Sequence, residues 1–253
     1  MSPGRKAAGR NFNAGGGRTV HGNWFELSPN DFLSRWYSED YEANAYGSKA
    51  GSIQNWMHRS LERGFDGSCR FGQVLEVGAN TGEHLDFVRH QYDSYVLTDI
   101  RDPLSPEDKD RLAQRGVTFR TADAQSLPFS ENQFDRTVVT CVLHHVPEPE
   151  QALCELRRVT KAGGIVDIFL SSDPGLAFRL ARWVGPYRSA RLAGLGDVKR
   201  LVDARDHRNH VGALRRLVGH VFRKDLCLER SFPVSGLTWN SSLWHTYRIL
   251  VRS

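Results

Sequence analysis

Val74-Leu75-Glu76-Val77-Gly78-Ala79-Asn80-Thr81-Gly82-Glu83-His84-Leu85 organises the reading of this chain. An apolar run reaches an acid, Glu76. A turn of small residues follows, with Gly78, Asn80 and Gly82 at alternate positions, and a helical pattern begins at Glu83. A strand that passes through a tight turn into a helix opens a nucleotide-binding α/β domain. A dinucleotide site asks for three glycines, so that backbone can approach a pyrophosphate. Here the middle residue is Asn80, and the strand already carries a carboxylate that repels a diphosphate and suits a ligand with an ammonium group. Asn fits the middle position because it adopts positive φ more readily than most residues.

The residues downstream repeat the strand–helix alternation. Strands are expected at Gln73–Val77, Ser94–Leu97, Val117–Thr121, from Phe134, and at Ile165–Leu170. Helices are expected at Glu83–His90, Pro103–Gln114 and Pro147–Thr160, with a turn at Lys161-Ala162-Gly163-Gly164. Val138, Val139 and Val142 suit a strand buried on both faces. Asp99 lies about 20 residues beyond the turn, the spacing at which a second-strand acid accepts ribose hydroxyls; Ile100 beside it offers an apolar face to a base. This spacing supports a ribose without naming the cofactor. Val211–Val221 reads as a further helix, and Leu226–Phe232 and Trp244–Val251 as a closing pair of strands.

The order Glu76-x-Gly78-x-Asn80-x-Gly82, Asp123-Ala124-Gln125-Ser126-Leu127-Pro128-Phe129, and Phe134-Asp135 leading to Leu143-His144-His145-Val146 resembles the class I S-adenosylmethionine (SAM) methyltransferases, in their type 11 group. The likeness runs over residues 73–171, departing at Asn80 and at Ala162, where the family has glycine and proline. It implies a Rossmann-like, three-layer α/β/α fold around a seven-stranded sheet, mostly parallel with one antiparallel strand. It also implies SAM as cofactor, with S-adenosylhomocysteine as product. Glu76, Gly78, Asn80, Gly82, Asp99, Ile100, Asp123, Ala124 and Cys141 are then the expected cofactor residues. The exit of the fourth strand lies near the transferred methyl in this fold. That makes His144 or His145 the expected base for a hydroxyl acceptor, unless they only brace the loop.

Outside this core the sequence changes character. Residues 1–20, with Gly15-Gly16-Gly17, read as a disordered tail. Residues 21–70 read as a helical arm, started by Ser28-Pro29-Asn30-Asp31; Tyr37, Tyr46 and Trp56 are candidates for one wall of the acceptor site. Residues 71–253 form the methyltransferase domain, with 172–209 inserted as a lid rich in arginine. In the lid Leu176, Leu180, Trp183, Val184 and Tyr187 share one helical face. This segment reads as a receiver for an anionic acceptor, as a basic amphipathic element lying on a membrane surface, or as a helix packed on the domain with its arginines in solvent. In Asp206-His207-Arg208-Asn209-His210, the two histidines are reserve candidates for acceptor binding or the base; a third ligand for a metal is missing.

Composition bounds the alternatives. The chain has 253 residues, 40% hydrophobic and 25% charged, with a formal net charge of +5. No apolar run approaches a membrane span, and the basic N-terminus has no apolar core of a secretory signal. Cys69, Cys141, Cys154 and Cys227 are scattered, which argues for reduced thiols in a cytoplasm, with peripheral attachment to the inner membrane face left open. The charge is too modest to indicate nucleic acid, and no N-P-P-Y-type motif for RNA amino-methylation is present. The divergent part, with its D-P-G-L-x-x-R-L-A opening and D-H-R-N-H segment, is similar to proteins found among surface-glycan modifiers. The expectation is therefore O-methylation of a hydroxylated acceptor such as a sugar or glycan precursor. A natural-product O-, N- or C-methyltransferase and a non-catalytic SAM-binding partner protein are the alternatives.

Overall fold

A computed structural model describes residues 24–36 and 49–253. Seven strands form one sheet: β1 (Arg70–Val77), β2 (Gln91–Asp99), β3 (Val117–Thr121), β4 (Phe134–Thr140), β5 (Thr160–Ser171), β6 (Leu226–Phe232) and β7 (Trp244–Leu250). Their order is β3-β2-β1-β4-β5-β7-β6. The first five run parallel, and β7 runs antiparallel to both of its neighbours. This is the expected seven-stranded plan.

β4 alternates its side chains between two cores. Val139 faces a cluster with Leu153, Leu156 and Val159 of α4 (Pro149–Val159) and Leu214 and Val218 of α8 (Val211–Val221). Val138 faces the other side, where Met57 and Leu61 of α2 (Lys49–Leu61) pack with Phe169 and Trp244. Arg136, on the Val138 side and fully buried, pairs with Glu62 beyond α2 at 2.7 Å and with Asp167 at 2.8 Å. Burial would raise the Glu62 carboxyl, but the His84 hydrogen bond and the Arg136 charge bring it down to about 2. The arm is thus locked to the sheet through an ionised, buried pair.

Two local expectations give way to tertiary partners. The helix expected over Glu83–His90 is only one 3-10 turn, Glu83–Asp86. Glu62 takes the groups such a helix would use: it accepts from the Arg89 N–H at 3.1 Å and lies 3.0 Å from His84 Nε2. Strand β2 then starts at Gln91, whose N–H donates to the Cys69 carbonyl at 2.8 Å. The turn expected at Lys161–Gly164 is absorbed into the start of β5, where the register against β4 shifts between Phe134 and Arg136.

The inserted segment forms three helices, α5 (Leu176–Val184), α6 (Pro186–Leu192) and α7 (Gly196–Asp206). A separate core joins it to the arm: Trp24, Phe32 and Trp36, around α1 (Pro29–Arg35), pack with Ala190, Leu195, Val198 and Val202. The remaining helix, α3 (Pro106–Ala113), is started by a reciprocal Ser105–Asp108 cap. Tyr37 and Tyr46, expected at the acceptor wall, and the expected tail at residues 1–20 lie outside the described residues.

Candidate active site

The C-terminal ends of β1, β2, β4 and β5 meet along one edge of the sheet, the place where open α/β sheets bind ligands. The β1 turn is built from three residues with positive φ: Gly78 at 72°, Asn80 at 47° and Gly82 at 88°. The N–H groups of Gly78 and Ala79 both donate to the Thr98 carbonyl, at 2.7 and 2.9 Å. A Cβ on Gly78 would come within 1.8 Å of Val142 Cγ2, so only glycine lets the turn lie against the β4 exit. Asn80 donates its side-chain amide to Glu83 at 2.6 Å and its N–H to Asp99 Oδ2 at 3.1 Å.

The acids sit around this turn in different environments. Glu76 is buried beneath it and accepts from the Tyr95 hydroxyl at 2.9 Å; burial pushes its carboxyl up to about 7. Asp99 is half-buried and also accepts from the Arg101 N–H at 3.1 Å, while Ile100 next to it is 65% exposed. Asp123 accepts from Gln125, and Ala124 is buried behind it. Cys141, at φ 57°, lies 3.6 Å from the Met57 sulfur, and burial pushes its thiol up to about 12. This donor set fits SAM. Acids at the ends of two strands and after a third match the pattern expected for an ammonium, a ribose and an adenine amino group, and Ile100 is an uncovered apolar residue beside Asp99.

The D-H-R-N-H segment explains the β4 exit. Asn209 donates to the Leu143 and Val146 carbonyls at 2.9 and 2.7 Å, and the Arg208 and Asn209 N–H groups donate to the His144 carbonyl. His144 itself is 1% exposed, with Nδ1 2.8 Å from the Asn209 carbonyl and Nε2 3.0 Å from the Ser171 hydroxyl. Burial holds its pKa down at about 4. Both ring nitrogens are engaged inside the protein, so His144 braces the loop; this corrects its candidacy as the base. His210 caps α8 through its Nδ1, which accepts from the Ala213 N–H at 3.3 Å, and it also lines the cavity described below.

His207 has the geometry these two lack. Its Nδ1 lies 2.9 Å from Asp173 Oδ2, at the end of β5, and its ring stacks on His144 at 5.8 Å and meets His145 edge-on at 4.8 Å. Burial lowers the His207 pKa in spite of the Asp173 partner. His145, partly exposed, has Nδ1 3.1 Å from Asp206 Oδ2. Trp56, 55% exposed, lies against Phe232 at 5.5 Å. Asp173, the first residue of the D-P-G-L-x-x-R-L-A opening, was not among the expected site residues, although its place two residues after β5 put an acid at the ligand-binding edge.

His207 and Asp173 open onto a cavity of about 1190 Å³ framed by α5, α6, α7 and residues 207–210. Arg182 stands inside it, paired with Asp173 at 3.2 Å and with Asp203, and layered on Tyr187 at 4.9 Å. Among the described residues no cluster of three or more His, Cys, Asp or Glu side chains could hold a metal, and no helix is long and apolar enough to cross a membrane.

Comparison with known proteins agrees with this geometry. A family model described as a methyltransferase domain matches residues 75–168. The ubiquinone/menaquinone biosynthesis C-methyltransferase UbiE of Azotobacter vinelandii is 35% identical over 129 residues, 48% of this chain and 50% of that protein. The UbiE of Pseudomonas putida is 34% identical over 132 residues, 48% of this chain and 52% of that protein. The chain thus spans about half the length of these curated relatives. In fold, it is similar to the CurJ carbon methyltransferase, with a TM-score of 0.60 at 16% identity, over 90% of this chain and 62% of that one. It is also similar to Haemonchus contortus phosphoethanolamine N-methyltransferase 2 in complex with SAM, with a TM-score of 0.56 at 14% identity, over 90% of this chain and 61% of that one. Turn, sheet order and family match agree on a SAM-dependent methyltransferase domain that includes residues 75–168.

Proposed function

We propose that this methyltransferase transfers its methyl group to a hydroxyl of an acceptor seated in the cavity under α5, α6 and α7, with His207 as the base. The observation that carries this reading is the His207–Asp173 dyad, which lies between the β4 exit and the cavity. Bound SAM supplies a methyl group on a sulfonium, a leaving group that needs no further activation. The protein's work is to orient the nucleophile, exclude water and take the hydroxyl proton.

The residues are arranged for that proton transfer. Nδ1–H of His207 donates to Asp173 Oδ2, which leaves the lone pair on Nε2 to accept. Burial keeps the imidazole neutral before reaction. Asp173, itself held below the usual carboxylate range by His207 and Arg182 against the effect of burial, stays anionic and stabilises the imidazolium that forms. A sugar or glycan-precursor hydroxyl fits this chemistry.

The names of the UbiE relatives favour a second reading, C-methylation. The same dyad serves it, because removing the proton of a phenol or enol makes the adjacent carbon nucleophilic. The test is transfer of labelled methyl from SAM into fractionated extracts, followed by NMR of the labelled product. The expected outcome is an O-methyl resonance in a hydroxylated, anionic acceptor. A methyl bonded to carbon sinks the O-methylation reading, and label confined to RNA or protein sinks both.

A further inference from the structure

The lid turns its chemistry inside out. Six arginines line the cavity: Arg179, Arg182, Arg188, Arg191, Arg200 and Arg208. The lining acids are Asp173 and Asp203. Both are matched already, Asp173 by His207 and Arg182, and Asp203 by Lys199 and Arg182. The lining therefore carries an excess of four positive charges, in a chain whose formal net charge is +5. Among the described residues Arg179, Arg188, Arg191 and Arg208 have no ion-pair partner. Every cation in the lining is arginine, whose planar fork matches phosphate oxygens two at a time.

The rim of the same cavity is apolar and uncovered. Leu176, Leu180, Trp183 and Val184 on α5, and Leu192 at the end of α6, are between 56% and 81% exposed. No residue of α5 is buried, although the helix is strongly amphipathic. A soluble anion would be served by the arginines alone, and these side chains would then be an unrelieved cost in water. A ligand that combines a phosphate head with a hydrocarbon chain satisfies both surfaces at once.

We propose that the cavity binds the phosphate head of an anionic lipid, with its chain lying along the apolar rim. The acceptor is then a lipid-linked phosphate, or a glycan carried on one, presented at a membrane surface. This rests on the proposed function for the cavity's role as acceptor site, though not for its affinity for lipid phosphate. The full chain is sedimented with vesicles of neutral phosphatidylcholine, with and without phosphatidic acid, and titrated separately with inorganic pyrophosphate.

Binding is expected to vesicles that contain phosphatidic acid and not to neutral ones. Arg188→Ala with Arg191→Ala is expected to weaken it by about tenfold or more. Trp183→Ser with Leu180→Ser is expected to lose vesicle binding while pyrophosphate binding persists. Pyrophosphate binding without preference for the vesicles overturns the lipid and leaves a soluble phosphate. Binding to neither overturns the anion site. A concentration-dependent dimer that Trp183→Ser dissolves shows that a second copy covers the rim, and also overturns the proposal. Vesicle binding that survives while His207→Ala leaves turnover intact keeps this inference and removes only the proposed base.

Discussion

Helices α4 and α5 lie on either side of β5 in the chain, and both are amphipathic. Their apolar faces meet opposite fates. Ala152, Leu153, Leu156 and Val159 of α4 are buried against the sheet. Leu176, Leu180, Trp183 and Val184 of α5 face outward, and Arg182 turns inward to Asp173 and Asp203. Periodicity therefore reveals that a helix has a partner face, without revealing the partner. In α4 the partner is the protein's own sheet, and in α5 the proposed partner is a lipid. The same contrast separates the two halves of the molecule, a methyltransferase half at family spacing and a proposed acceptor half assembled by the arm and the lid.

Four measurements sharpen or break this contrast. The largest effect is expected at α4: Leu156→Ala should cost about 2–5 kcal/mol of unfolding free energy, measured in urea, because it opens a cavity in a packed core. A loss below about 1 kcal/mol would mean that α4 is as loosely held as α5.

Next is His207→Ala, which should lower turnover by on the order of 10²-fold, about 2.7 kcal/mol of barrier, with unchanged affinity for S-adenosylhomocysteine. The pH profile checks the assignment independently. The folded pKa of His207 lies below its ordinary value of 6.5, and the neutral ring is the base. Activity should therefore fall as pH drops through that lowered pKa, and be level at neutral pH. His144→Gln should preserve this limb, and an acid limb that vanishes in it would return the role to His144.

Third, Asp99→Ala should weaken S-adenosylhomocysteine binding by about 1–3 kcal/mol in calorimetry, the cost of leaving polar groups unpaired. Unchanged affinity would remove the ribose assignment. The smallest effect is expected at α5, where Trp183→Ser should leave stability within about 0.5 kcal/mol of the parent chain, as at an exposed site. A large loss would show that the tryptophan is covered in solution.

The core was legible for a physical reason. Glu76, Asp99 and Asp123 and the residues between them act through backbone geometry that short segments impose on themselves, and Asn80 adopts the positive φ its side chain permits. The acceptor side was less legible because its roles are set by contacts across the fold. In the sequence His144 and His207 are both histidines of short histidine-bearing motifs, Leu143-His144-His145-Val146 and Asp206-His207-Arg208-Asn209-His210. One becomes a brace because Ser171 and Asn209 engage both its nitrogens, and the other a candidate base because Asp173 engages only one. The helix expected over Glu83–His90 was lost to Glu62, a residue more than twenty positions earlier in the chain.

By itself, then, the sequence determined the resemblance to the methyltransferases, the mostly parallel seven-stranded sheet that it implies, and the acids around the glycine turn, because each rests on local motifs and their spacing. Tertiary structure alone decided which histidine pairs with Asp173, that four arginines of the cavity have no ion-pair partner among the described residues, and that the apolar face of α5 looks outward. Those properties belong to pairs of residues far apart in the chain, and only the packing of lid against arm brings them together.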